Sequence, residues 1–151
     1  MSKRNLTICV EGANNVAALL DNPEFETQRV FVEEGRHQDL LKKARDASIN
    51  WQELSSEMMA GAAGYQFHRG VFAHAKRPDP VAFKPDESLK RLVVLTHLAD
   101  EWNLGTIIRT AAAFGTDAIM LQSNKGGDPF SRKSIRASAT GVFKIPVYEV
   151  E

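Results

Sequence analysis

Asn103-Leu-Gly-Thr-Ile-Ile-Arg-Thr-Ala-Ala-Ala-Phe-Gly115 lies between two short apolar runs, Leu92–Thr96 and Asp117–Leu121. Strand, helix, strand in this order reads as a parallel α/β unit. On a 3.6-residue period Leu104, Ile107, Ile108, Ala111 and Phe114 fall on one side, while Gly105 and Arg109, four apart, share the other. Helical side chains lean toward the N-terminus, so this spacing places the Arg109 guanidinium over the bare backbone of Gly105, near the positive end of the helix. Asn103 reads as the N-cap, Asp100 and Glu101 add negative charge beside the first turn, and Gly115 reads as the C-terminal stop. The same pattern also fits a plain amphipathic helix with a solvated arginine.

Downstream, Ser131–Ala137 reads as a second helix and Lys144–Tyr148 as a third strand, which extends the pattern to a doubly wound parallel sheet. In such sheets ligands sit beyond the carboxyl ends of the strands, so the Gly105/Arg109 face is expected to open on that crevice. Neither Gly-x-Gly-x-x-Gly nor Gly-Lys-Ser/Thr occurs, which argues against a dinucleotide or nucleoside-triphosphate site. Between Lys125 and Gly141 the chain becomes locally basic. Arg132, Lys133 and Arg136 share one helix face, with Ser138 following. Arginine forks, hydroxyls and helix amides match phosphate oxygens, so this face suits an RNA backbone, although a solvated basic helix fits the composition equally well.

Upstream, Thr7–Val10, Arg29–Val32, Ile49–Gln52 and Gly70–Ala75 read as strands, with helices at Asn14–Leu20, Gln38–Ala47 and Ser55–Ala62 between them. Ser55 is the N-cap candidate for the last. Pro78, Asp79, Pro80, Pro85 and Asp86 then crowd into a stretch without periodicity. The expected organisation is a first unit over 1–78, a linker over 79–90 and a second unit over 91–151.

Of the 151 residues, 43% are hydrophobic and 25% charged, the composition of a globular chain, and Lys plus Arg equal Asp plus Glu at 19 each. A nucleic-acid partner would therefore be held by local patches, not by net charge. The apolar run Leu6–Val10 is too short for a signal peptide or membrane span, so a cytoplasmic protein is expected. Cys9, the only cysteine, sits between Ile8 and Val10 and reads as a buried structural thiol. His37, His68, His74 and His97 lack zinc-site spacings, and no metal is expected.

Asn103-x-Gly105-x-x-x-Arg109-Thr-Ala-x-Ala-Phe-Gly115 resembles the first motif of the SpoU/TrmH-type RNA ribose 2'-O-methyltransferases, which belong to the SPOUT knotted class. Asp128-Pro-Phe130 through Arg136-Ala-Ser138-x-x-Gly141 to Pro146-Val147 resembles the segment that follows it. Gly12-x-Asn14-x-Val16 and His68-Arg-Gly-Val-x-Ala73 resemble the opening and ending of that family's ribosomal-protein-like substrate-binding domain. Two departures are Arg69, where the family usually has Gln, and Glu101-Trp102 before Asn103, where it usually has Asp-Pro. The family's later Gly-x-Glu and Ser-Leu-Asn-Val-Ser segments, which form the cofactor-holding knot, do not occur.

The resemblance implies a small α/β substrate-binding domain followed by the N-terminal part of a SPOUT-type parallel-sheet domain. It implies methyl transfer from S-adenosylmethionine to a ribose 2'-hydroxyl in tRNA or ribosomal RNA, by a homodimer. Arg109 would orient the hydroxyl and stabilise its developing charge, because a guanidinium is too basic to take a proton. Asn103 would fix the loop, Gly105 would let the substrate approach, and Arg132, Lys133, Arg136, Ser138, His68 and Arg69 would contact RNA. The resemblance places the cofactor residues in the absent segments. A non-catalytic RNA-binding protein that keeps the substrate domain is the alternative. A partial parallel sheet leaves a strand edge unpaired, from which poor stability or self-association is expected.

Overall fold

A computed structural model of the chain describes residues 6–64, 69–81, 83–84, 88–122 and 126–150. It divides into two compact units, Met1–Pro78 and Asp79–Glu151.

In the first unit the elements run β1 (Thr7–Glu11), α1 (Ala13–Leu20), a 3-10 turn (Pro23–Phe25), β2 (Thr27–Glu33), α2 (Gln38–Asp46), β3 (Asn50–Leu54), α3 (Ser56–Ala63) and β4 (Val71–Lys76). The sheet order is β1-β4-β2-β3, with β2 and β3 parallel and β4 antiparallel to both β1 and β2. Alternation decides the faces. Val10, Ala73, Val30 and Val32 are fully buried on the side taken by Val16 and Leu19 of α1 and Leu41 and Ala44 of α2. Phe31, Leu54 and Phe72 point the other way, onto Met59 of α3, with Cys9 half-buried beside them. Ser55 caps α3 as expected, its hydroxyl accepting from the Met58 N–H at 3.3 Å, and Gly64 ends the helix at φ 73°.

In the second unit the order is β5 (Leu92–Leu95), α4 (Glu101–Ala113), β6 (Ala118–Gln122), α5 (Arg132–Ser138), a 3-10 turn (Gly141–Phe143) and β7 (Val147–Val150). The three strands are parallel in the order β5-β6-β7. Because the order is sequential and α4 packs on α5, the crossovers run in one direction, and the doubly wound arrangement with its strand-order reversal does not occur among the described residues. The third strand also starts later than expected. The chain after α5 first closes the turn at Gly141 and buries Ile145, and pairing begins at Pro146, whose carbonyl accepts from the Ile119 N–H at 3.0 Å and which has no N–H to donate. Asp117 ties β5 to the start of β6: its carboxylate accepts from the Arg91 and Lys90 N–H groups at 2.7 and 2.9 Å. Those bonds hold its pKa below the usual carboxylate range.

Candidate nucleic-acid interface

α4 begins two residues before the expected start. Asp100 is the N-cap, its carboxylate accepting from the Asn103 N–H at 2.7 Å. A charged oxygen is the stronger acceptor at this position, so Asn103 sits in the first turn with its side chain exposed instead of capping. Leu104, Ile108 and Ala111 form the buried stripe, but Phe114 leaves it and is 76% exposed.

Gly105 is buried, which overturns its reading as an open approach for RNA. A Cβ there would lie 2.4 Å from the Ser134 carbonyl oxygen and 2.6 Å from the Ala137 Cβ, so the missing side chain is replaced by α5. The Ser134 hydroxyl strengthens the contact by donating to the Glu101 carbonyl at 2.9 Å. Gly141 has the same role a turn further along α4. A Cβ on it would come within 3.2 to 3.3 Å of the Arg109 Cα and N and the Ile108 carbonyl. The two motif glycines thus clamp the backbone of α4, one at Gly105 a turn before Arg109 and the other at Arg109 itself. Its guanidinium is not folded over Gly105, because α5 occupies that space. Arg109 is exposed and makes no hydrogen bond or ion pair with any described residue.

α5 is capped by Ser131, whose hydroxyl accepts from the Ser134 N–H at 3.1 Å. Arg132 and Lys133 are exposed and Arg136 half-buried, so the basic face expected from the sequence is present. Ser138 does not belong to it. Its side chain is fully buried, donating to the Ile135 carbonyl at 2.8 Å and accepting from the Val142 N–H at 3.4 Å, which spends its hydrogen bonds on the turn after α5.

Beyond the strand tips the described parts of the loops after β5 and β6 meet at Gly127. The Gly127 N–H donates to the Leu98 carbonyl at 2.6 Å, and a Cβ on Gly127 would meet the Ala99 oxygen at 3.0 Å, so the loops after β5 and β6 touch. A hollow of about 290 Å³ lies instead against β5, between Val93, Ile107, Ala111, Phe114 and Thr116. The hydroxyls of Thr106 and Thr110 on its wall turn to the Trp102 and Thr106 carbonyls. An apolar hollow does not suit a charged amino acid joined to a nucleoside.

At one end of the first unit three loops meet, and the sequence pattern pointed to only some of this cluster. Arg69, exposed and at φ 52°, approaches Gly12, while Gly70 at φ 76° leaves room for Arg36, whose guanidinium nitrogen would stand 2.8 Å from a Cβ there. Arg36 pairs with Glu33 at 2.8 Å, and the His37 Nε2–H donates to the Arg69 carbonyl at 3.3 Å. Arg36 and His37 were not legible because only the sheet brings them beside Arg69; Gly35, at φ 74°, was the available turn signal. His68 lies outside the described residues.

This is an α/β chain with two units, each presenting exposed cations on rigid elements. Residues 9–81 match the family described as RNA 2'-O ribose methyltransferase substrate binding, and residues 90–151 match the SpoU rRNA Methylase family. The 23S rRNA (guanosine-2'-O-)-methyltransferase RlmB of Acinetobacter baylyi is 32% identical over 92% of this chain and 60% of its own length. RlmB of Ralstonia nicotianae is 31% identical over 83% of this chain and 53% of its own. Among solved structures, an AdoMet-bound rRNA methyltransferase from Sinorhizobium meliloti superposes with a TM-score of 0.76 at 26% identity, over 95% of this chain and 54% of that one. The chain belongs to the SpoU/TrmH-type family of RNA 2'-O-ribose methyltransferases. It spans between about half and three fifths of the length of these relatives.

Proposed function

We propose that this chain supplies the RNA-engaging portion of S-adenosylmethionine-dependent methylation of a ribose 2'-hydroxyl in tRNA or ribosomal RNA. The observation that carries the reading is Arg109, an exposed guanidinium without a described partner, on a helix whose backbone is clamped by Gly105 and Gly141. Such a group can donate to a ribose 2'-oxygen and lower the cost of negative charge on it, with little reorganisation. Lys133, Arg132 and Arg136 would hold phosphates beside it, and Asn103 would contribute through the first turn of α4. Arg36 and Arg69 would hold the RNA backbone on the first unit.

The exposed cations on both units also support a second reading, a non-catalytic RNA-binding module that keeps the substrate domain. Either reading includes self-association. The free edge of β5, Leu-Val-Val-Leu without charge or proline, pairs with no described strand, and a second copy would cover it in a homodimer. Equilibrium binding of tRNA and ribosomal RNA fragments tests the proposal. Arg109→Ala should weaken binding, and Lys133→Ala should both weaken binding and reduce the slope of log K against log salt by about 1, as expected for one lost phosphate contact. Unchanged affinity and slope would refute it.

A further inference from the structure

The sheet of the first unit is closed on one face by α1 and α2, but on the other α3 covers only the end that holds Phe31, Leu54 and Phe72. Beyond that cover a single row crosses all four strands. Cys9 on β1 stands opposite His74 on β4, His74 opposite Arg29 on β2, and Arg29 opposite Asn50 on β3. Residues directly opposite in a ladder project from the same face, so these four side chains lie side by side. The register of β2 against β4 shifts between Thr27 and Arg29, and a bulge of this kind re-aims the side chain that follows.

Arg29 is exposed, and its guanidinium carbon sits 5.9 Å above the ring of Phe31, which stacks on Phe72 at 4.6 Å. The His74 ring stands edge-on to Phe31 at 5.5 Å. The aromatic pair below thus gives Arg29 and His74 a fixed floor, and the outer side of the guanidinium meets solvent. Burial, and the charge of Arg29, lower the His74 pKa from 6.5, so at neutral pH the imidazole is uncharged and offers one donor and one acceptor. Asn50 and, two residues along the same face of β3, Gln52 are exposed amides. The row contains no carboxylate; on its flank Lys76 is paired with Glu26 at 3.0 Å.

We propose that this open half-face takes an unpaired nucleotide of the RNA, with the base stacked on the Arg29 guanidinium and its edge met by His74 and Asn50. The inference rests on the reading of the first unit as an RNA-binding domain and assigns it a second, base-contacting surface apart from the Arg36/Arg69 cluster. The occupant follows from the chemistry. A cation without a neighbouring carboxylate suits a polyanion, and a planar guanidinium flanked by an amide and a neutral imidazole suits an exposed base, whose faces stack and whose edges both donate and accept. A paired helix hides those groups.

The test uses the full chain with a single-stranded RNA oligonucleotide carrying 2-aminopurine and, in parallel, a duplex of equal length. Quenching of the 2-aminopurine on binding is expected, and Arg29→Gln and Asn50→Ala should each weaken single-strand binding, the former roughly tenfold as for loss of one base-stacking contact. Quenching should be lost in Arg29→Gln and duplex binding unchanged. Arg29→Lys keeps the charge but not the plane, and should also lose quenching; circular dichroism of all three variants should match the parent chain. Wild-type affinity and quenching in Arg29→Gln and Asn50→Ala, while Arg36→Ala and Arg69→Ala still weaken binding, would overturn this site and leave the RNA-binding reading standing. Absence of any RNA binding by the parent chain would overturn both.

Discussion

Replacing Gly105 by alanine adds one methyl group where the structure has least room. The new Cβ would stand 2.4 Å from the Ser134 carbonyl oxygen and 2.6 Å from the Ala137 Cβ, and both belong to stretches of α5 that cannot rotate away. Comfortable separation is about 3.5 Å, so α5 must retreat by roughly 1 Å from α4. Overpacking costs about 1–3 kcal/mol, and here about 2–3 kcal/mol because a helix backbone and not a flexible side-chain tip must yield, against which alanine gains about 1 kcal/mol in helix propensity over glycine. The expected net loss is about 1 to 2 kcal/mol, or a fall in Tm of the second unit by roughly 4–15 °C. Gly61 in α3 is the matched control, because a Cβ there meets nothing within 4 Å, and Gly61→Ala should stabilise the first unit by about 0.5–1 kcal/mol. Calorimetric melts of the two variants beside the parent chain decide the matter. A Tm for Gly105→Ala equal to or above that of the parent would refute the packing role assigned to this glycine.

Lowering the pH should destabilise the first unit as it falls through 6.5, because His74 takes up its proton more readily unfolded than folded; His74→Gln should flatten urea midpoints over that range. Asp117 works in a separate window, since its depressed pKa gives stability that is lost only as the pH drops below 3.8, and Asp117→Asn should remove that loss. On the free β5 edge, Val94→Lys should shift sedimentation from dimer toward monomer, because Val94 is 59% exposed and a lysine there opposes edge pairing. A parent chain that already sediments as a monomer at all concentrations would contradict the dimer.

The four strands of the first unit were legible as short apolar runs rich in β-branched residues, and the structure sorts them by face: Ile8 and Val10 bury one side while Cys9 turns to the other, and Val30 and Val32 flank Phe31 in the same way. The parallel second unit was equally legible from its strand and helix order. Side-chain environment was not. Periodicity assigned Gly105 to the polar side of α4, yet the backbone of a glycine is also the best seat for a second helix, and only the tertiary position of Ser134 and Ala137 reveals that use. Ser138 reads as a phosphate hydroxyl in a basic stretch, but one turn of helix carries it inside, onto Ile135 and Val142. Among the described residues the strand order is sequential, without the reversal at which the crevice was expected. Arg36 and His37 were hidden because they are 32 to 33 residues from Arg69 in the chain and meet it only across β2 and β4.

In the reading proposed above these residues engage RNA, and their hold on it does not depend on S-adenosylmethionine. Titrating a ribosomal RNA fragment into the chain over a range of salt, with and without S-adenosylmethionine, tests it most directly. Binding that weakens linearly in log salt, with superimposable curves in the two conditions, is the expected result. Absence of RNA binding, or curves tightened by S-adenosylmethionine, would contradict it.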